Sequence, residues 1–322
     1  MIGIKHISPF FAGSQMAPEQ LPECGQLEAG QLDYLRSTGI DSFYVADHHS
    51  AYDLAKAASE KLLAETGIKA EKLDMIIYIR SRLPETLVTS EAMRLQYELG
   101  ATKATAYSMG DLGCADMSMA IKLGYDHLLA NPWAEYVLVA HGCKPFSPYR
   151  FRYPVTITGD GGLALVLART DENRIRDIRF DVNGSYWDLF KMEYRDRTQR
   201  EYREECTDIR KYSFELALES RMRFLDLNNS LLESHSLGKE DIGHYLLQNV
   251  SSRAYEYYET AFEVSISPAC LYNLSQYGHL GPNDVMLNYH AGIRSGLFEK
   301  GSKVLIMNNS PVAAWSSILV EV

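Results

Sequence analysis

Long apolar runs are missing from this 322-residue chain, and no stretch approaches the roughly 20 consecutive apolar residues of a membrane-spanning helix. The N-terminus, MIGIKHISPFF, lacks an apolar run behind positive charge, so no secretory signal is expected. Basic excess is missing too. Lys and Arg number 32 against 42 Asp and Glu, a formal net charge of −10, which predicts no nucleic-acid partner. Cysteine is scarce: Cys24, Cys114, Cys143, Cys206 and Cys270 are odd in number, scattered, and form no Cys-x-x-Cys pair. That excludes a disulfide framework and fits reduced thiols in a cytoplasmic protein. His48 and His49 (ADHHSAY) have no further ligand at metal spacing, so they read as loop residues and no metal is expected.

What is present is ample apolar material, 46% of the chain, enough for one double-lobed domain or two domains. Strand and helix signals alternate. Residues 52–66 have helical spacing, MIIYI (75–79) reads as a buried strand, and TSEAMRLQYELG (89–100) as a capped helix stopped by Gly100. ATAYSM (104–109) is strand-like, the residues after Cys114 are helical, and EYVLVAHG (135–142) is again a buried strand. TGDGGLALVLA (158–168) is a glycine turn running into a strand. The alternation predicts a layered α/β fold with mostly parallel strands. The second half echoes the first: KAEKLDMIIYI (69–79) is like LGKEDIGHYLL (237–247), and ANPWAEYVLVAHG (130–142) is like FEKGSKVLIMNN (298–309). A duplicated half is expected, with residues 1–172 and 173–322 as the two units across the polar connector RTDENRI. The segment EYRDRTQREYREE (193–205), dense in both charges, reads as a solvated insertion.

The chemistry centres on DLGCADMSMAIKL (111–123), where Cys114 stands at the start of a helical pattern. A thiol at a helix N-terminus feels the positive end of the dipole, and its backbone N–H can serve an oxyanion. Local sequence alone favours a packed thiol, because free cysteine is among the most buried residue types.

Four stretches weigh on that choice. STGI (37–40), DLGCADMSMAI, TGDGGLALVL and the C-terminal QYGHLGPND occur in an order that resembles the ketoacyl-acyl-carrier-protein synthase III family of the thiolase superfamily, from about Leu35 to the C-terminus. The resemblance puts Cys114 on the family's nucleophile. It implies the five-layered αβαβα thiolase fold made of two similar halves, usually as a homodimer. It also implies an acyl group carried from a coenzyme A or carrier-protein thioester to the cysteine and on to an acceptor, with no cofactor. The second oxyanion donor implied is the N–H of Val312 in NNSPVAAW, where Pro311 has none.

The departures are informative. Aligning YLLQNVSSRA on Arg253 puts Gln248 where the family has its catalytic histidine, and YGHLG puts His279 where it has its asparagine. Cys–His–Asn thus becomes Cys114–Gln248–His279. Gln248 and His279 can both donate hydrogen bonds, so decarboxylative condensation with a malonyl thioester stays open. Only His279 can exchange a proton near neutral pH, which suits transfer to a hydroxyl or amine in specialised biosynthesis. A third reading is a non-catalytic partner of an active synthase. At the substrate entrance the resemblance assigns Arg36, Arg152 and Arg253 to the phosphate-bearing arm of the thioester. Asp33 replaces the family's tryptophan there, which favours an acyl carrier protein as donor. By the same analogy Met93, Tyr107 and residues near 190–215 would line the acyl tunnel. Cys143, His244 and Cys206 read as structural, and Asp160 with Gly161 as shaping a turn beneath the site.

Overall fold

The computed structural model describes residues 1–80 and 83–322. Nine strands form one mixed sheet: β1 (Gly3–Phe10), β2 (Leu73–Ile79), β3 (Thr105–Met109), β4 (Tyr136–Cys143), β5 (Gly161–Ala168), β6 (Arg174–Val182), β7 (His244–Leu246), β8 (Lys303–Ser310) and β9 (Ala314–Glu321). Their order is β7-β8-β9-β6-β1-β5-β4-β2-β3. The sheet is two ladders in all but name, because β1 and β6 share a single pairing, Gly3 with Arg174. The duplication read from sequence reappears in the ladders. A short 3₁₀ turn (Ala70–Lys72) leads into β2, which pairs parallel with β4, and another (Lys239–Asp241) leads into β7, which pairs parallel with β8.

Among the described residues, eight α-helices complete the frame: α1 (Ala29–Arg36), α2 (Ala51–Thr66), α3 (Glu91–Leu99), α4 (Asp116–Ala130), α5 (Ala217–Ser234), α6 (Ser252–Phe262), α7 (Pro268–Tyr277) and α8 (Asp284–Arg294). Their ends carry the expected signals. Ser50 caps α2 and Gly67 closes it in the left-handed region, while Ser90 and Gly100 do the same for α3. Ser251 caps α6, and Ser267 caps α7 ahead of Pro268.

The alternation of strand side chains sorts the helices into layers. Ile76 and Tyr78 of β2, Leu138 and Ala140 of β4, and Ala164 and Val166 of β5 pack with α2 and α3. The intervening Ile77, Val137, Val139 and Leu165 join α4 and α8 in the main core. α4 meets the first ladder, while α8 touches β1 on one side and β7 and β8 on the other. α5 lies on the second ladder, where Trp315 Nε1 donates to Ser220 Oγ (2.9 Å) and Asn228 bonds Ser317. The order is helices, ladder, α4 with α8, ladder, helices, which is the five-layered arrangement expected.

The expectation of mostly parallel strands is corrected. Five of the eight pairings in the sheet are antiparallel and three are parallel. Strands buried on both faces read as continuous apolar runs whatever their direction. The antiparallel pair β8–β9 needs only the three residues 311–313 between its strands.

α2 lies unusually close to its ladder. Gly142 and Gly162 are cross-strand partners beneath it. A Cβ on Gly142 would stand 1.7 Å from Ala51 O, and one on Gly162 would stand 2.0 Å from Leu54 O. Gly142→Ala is expected to force α2 off the sheet and destabilise the protein by about 1–3 kcal/mol or more, read from urea unfolding midpoints. An unchanged midpoint would refute this packing account.

Candidate active site

Cys114 is set by a tight turn between β3 and α4. The chain turns through positive φ at Asp111 (87°) and Gly113 (60°), and Gly113–Ala115 form a 3₁₀ turn continuous with α4. Asp116 Oδ1 accepts the Leu112 N–H (3.1 Å) and tightens the turn. The second half holds it from the other side: Asn308 Nδ2 on β8 donates to Cys114 O (2.8 Å). Val312 lies beside the same turn, since a Cβ on Gly113 would come within 4.0 Å of Val312 Cγ2.

His279 reaches Cys114 from the loop after α7. Its Nε2 is 3.4 Å from Cys114 Sγ. Three backbone features fix it there. Gly278 adopts φ 62° and ψ −148°, a region open in practice only to glycine. The His279 N–H donates to Ile157 O (2.9 Å), and His279 O accepts the Gly159 N–H (3.0 Å). The glycine turn is therefore a short strand partner for the histidine. Gly159 permits it, because a Cβ there would sit 2.5 Å from Tyr277 O. Asp160 beneath the turn is fully buried and clamped by Arg150 (2.6 and 2.9 Å) and by the Ala46 N–H (2.8 Å). This agrees with the turn-shaping role expected of it.

Sequence reasoning missed Asp284. It is fully buried at the first position of α8, and its Oδ2 is 2.6 Å from His279 Nδ1. The carboxylate also accepts the N–H groups of Leu280 (2.7 Å) and Asn249 (2.8 Å). Cys114, His279 and Asp284 thus form a continuous chain of hydrogen-bonding groups. Burial works against a charged imidazole, but the negative charges of Asp284 and of a Cys114 thiolate outweigh it and raise the His279 pKa from 6.5 to about 10. Both residues lie in QYGHLGPND, and an acid five residues after a histidine was the available signal.

Gln248 is corrected. It is buried, is not among the residues lining the cavity, and its Oε1 accepts the Asn309 N–H (2.7 Å). Through that bond it braces β8.

A cavity of about 340 Å³ opens beside Cys114 and His279. His141 and Cys143, one strand step apart on β4, share its wall. The Cys143 thiol is pushed well above its usual range by burial, with Asp160 and Asp284 adding to the effect. Arg152 lines the cavity and pairs with Glu204, and its Nε is buried without an acceptor. Arg36 and Arg253 do not line it. Arg36 is exposed, 4.0 Å from Asp33, and Arg253 lies in a separate surface depression with Arg221 and Tyr257. Arg253 stands near Tyr34, whose hydroxyl donates to Val155 O (3.1 Å). Met93 is exposed and Tyr107 half-buried, and neither lines the cavity.

The charged segment 193–205 is not simply a solvated insertion. It runs between the paired strands Phe190–Lys191 and Glu205–Cys206, and it brings Tyr194 and Glu204 to the cavity wall. Tyr202 stacks on Phe146 with ring centres 5.6 Å apart. Its charges solvate one face while the other roofs the cavity. Among the described residues there is no helix long and apolar enough to cross a membrane and no group of three or more side chains able to hold a metal. His244 packs on Phe298 with ring centres 4.5 Å apart, as a structural residue should.

No family model matches the chain. Curated relatives do. Beta-ketoacyl-[acyl-carrier-protein] synthase III of Clostridium perfringens (strain SM101 / Type A) is 24% identical over 304 residues, 90% of each chain. The protein of the same name from Lactococcus lactis subsp. lactis is 21% identical over 298 residues, 88% of each. Among solved structures, 3-oxoacyl-(acyl carrier protein) synthase III from Pseudomonas aeruginosa PAO1 superposes with a TM-score of 0.81 at 16% identity, covering 99% of this chain and 98% of that one. A variant of OleA from Xanthomonas campestris gives 0.82 at 17% identity, covering 100% and 98%. The chain is a thiolase-fold protein. Within that class it is like ketoacyl-acyl-carrier-protein synthase III.

The His279 pKa carries a stability prediction. Because it is raised on folding, the folded state binds more protons than the unfolded chain between pH 6.5 and about 10. Stabilisation from the His279–Asp284 pair is full below pH 6.5 and is lost as pH rises through about 10. The Tm difference between wild type and His279→Gln is therefore expected to be largest at or below pH 6.5 and to shrink toward pH 10. A difference that grows with pH would contradict the assignment.

Proposed function

We propose that the protein is an acyltransferase in which Cys114 carries an acyl group from a coenzyme A or carrier-protein thioester to a hydroxyl or amine acceptor. The single observation behind this reading is the buried Cys114–His279–Asp284 chain. In the resting state the thiol proton sits on His279, held by Asp284. The thiolate attacks the thioester carbonyl, the donor carbon–sulfur bond breaks, and the departing thiolate takes the proton from His279. The acceptor O–H or N–H then gives its proton to His279 while its heteroatom attacks the acyl-cysteine. The Cys114 carbon–sulfur bond breaks, and thiolate and imidazolium are restored. No cofactor is needed for any of these steps.

The N–H groups of Cys114 and Val312 are the proposed oxyanion hole, supported by their adjacency at the Gly113 turn. Arg152 is the proposed contact for the thioester arm, supported by its unpartnered buried Nε. Arg36, exposed on α1, and Arg253, near Tyr34, are proposed as outer contacts for a carrier protein. Gln248 is assigned to positioning β8. The two halves, for which we retain a division at residues 172 and 173, divide the chemistry between them. The first supplies the thiol, and the second supplies the histidine and its acid. A homodimer is supported by apolar side chains left bare around α3, including Met93 (54% exposed) and Tyr97 (84%), beside Leu87 and Val88.

The second reading is decarboxylative condensation. It is favoured by the names of the curated relatives, which are beta-ketoacyl synthases, and by the donor His279 would offer an enolate. Intact mass after incubation with acyl-coenzyme A and acyl-carrier-protein thioesters tests the first step. An adduct is expected on wild type and none on Cys114→Ala. Asp284→Asn is expected to slow loading by about 10²-fold or more. Chasing the adduct with amines, alcohols and malonyl thioesters separates the two readings. No adduct with any donor would leave a non-catalytic partner subunit as the better account.

A further inference from the structure

His141 enters neither the proton path nor the oxyanion hole, yet it is the second histidine of the cavity wall. It is 5% exposed, on the face of β4 that also carries Cys143. Its Nδ1 is 3.0 Å from Asn283 Oδ1. The Asn283 amide cannot be turned around freely, because its Nδ2 donates to Gly161 O (3.2 Å). The oxygen therefore faces the imidazole, the ring proton belongs on Nδ1, and Nε2 keeps a lone pair. Among the described residues no group donates to that Nε2, and it is not among the buried polar atoms sealed without a partner. His141, a residue of the cavity wall, thus keeps an unused hydrogen-bond acceptor.

One segment sets both histidines. Residues 279–284 place Asp284 against His279 and Asn283 against His141. A carboxylate partner keeps the first ring charged. Burial, only partly offset by the Asn283 amide, lowers the second to about pKa 4 and keeps it neutral. Two like side chains whose environments push them apart are suited to different roles. His279 holds a proton beside the thiol, whereas His141 offers only a lone pair.

We propose that His141 is the docking point for the acceptor: its Nε2 accepts a hydrogen bond from an N–H or O–H of the incoming nucleophile, positioning it against the acyl-cysteine. A carboxylate offers no donor to that lone pair, so the residue selects amines and alcohols over a malonyl thioester. This rests on the acyl-enzyme reading and deepens it by naming what the acceptor must carry.

The test separates loading from transfer. Wild type, His141→Phe and His141→Gln are incubated with acetyl-coenzyme A, the Cys114 adduct is quantified by intact mass, and it is then chased with graded ethanolamine, hydroxylamine or malonyl-coenzyme A. His141→Phe is expected to load like wild type, which also reports a folded site. Its kcat/KM for ethanolamine and hydroxylamine is expected to fall about 10- to 100-fold, chiefly through a raised KM. His141→Gln, whose amide oxygen can accept in place of Nε2, recovers part of the loss, and the malonyl chase is not impaired. If the Phe variant fails to load, Asn283→Ala, which releases the ring from its fixed tautomer, is expected to show a smaller loss in the same direction. Equal chase kinetics in the loading variants, or equal losses for ethanolamine and malonyl-coenzyme A, would overturn the docking role alone. Absence of an adduct on wild type would defeat the acyl-enzyme reading, and the His141 proposal with it.

Discussion

The buried contact between Asp284 and His279 is the constraint on which the site depends. A carboxylate without solvent must be paired and hydrogen-bonded, and Asp284 meets that demand with two backbone N–H groups and one imidazole. In satisfying itself it fixes the ring's orientation and its proton. The Cys114 sulfur then sits against the charged face of the imidazole. Burial pulls the other way, toward a neutral ring, and Asp284 is the largest of the influences that oppose it.

The surrounding architecture serves this contact. The glycine turn at 158–162 is a local motif that works at a distance: it offers backbone to His279, seats α2 through Gly162, and anchors Asn283 through Gly161. Asn308 ties the Cys114 turn to β8. The cavity is lined by the Cys114 turn, the end of β4, the segment 190–194 and the loop 279–282, which join at one place residues far apart along the chain. The charged segment 193–205 closes one side, with Glu204 neutralising Arg152 in a place that solvent reaches poorly.

Much of the fold was legible because its signals are local. Serine caps, glycine stops and apolar runs placed α2, α3, β2 and β4 near their observed bounds, and the echo between residues 69–79 and 237–247 announced the duplicated ladders. Strand direction was not legible, since an apolar run looks the same in either sense. In the site, Cys114 and His279 were visible from motif order. Gln248 bonds the Asn309 backbone, and neither it nor Met93 nor Tyr107 is among the residues lining the cavity. Asp284 and His141 were passed over: one reads as a helix-start acid and the other as the end of an apolar strand.

The sequence by itself determined the layered α/β class, the duplicated halves, the nucleophile turn and the presence of a titratable group in place of an asparagine. The first two follow from propensity and periodicity, which act over a few residues; the nucleophile turn and the histidine in place of an asparagine are what the family resemblance implies. Only the tertiary structure decided which side chains share a buried hydrogen bond and therefore which histidine is charged and which is neutral. That depends on the low-dielectric surroundings assembled from residues far apart in the chain, such as Cys114 and His279, 165 positions apart, and Cys114 and Asn308, 194 apart. Spacing along the chain carries no record of such surroundings.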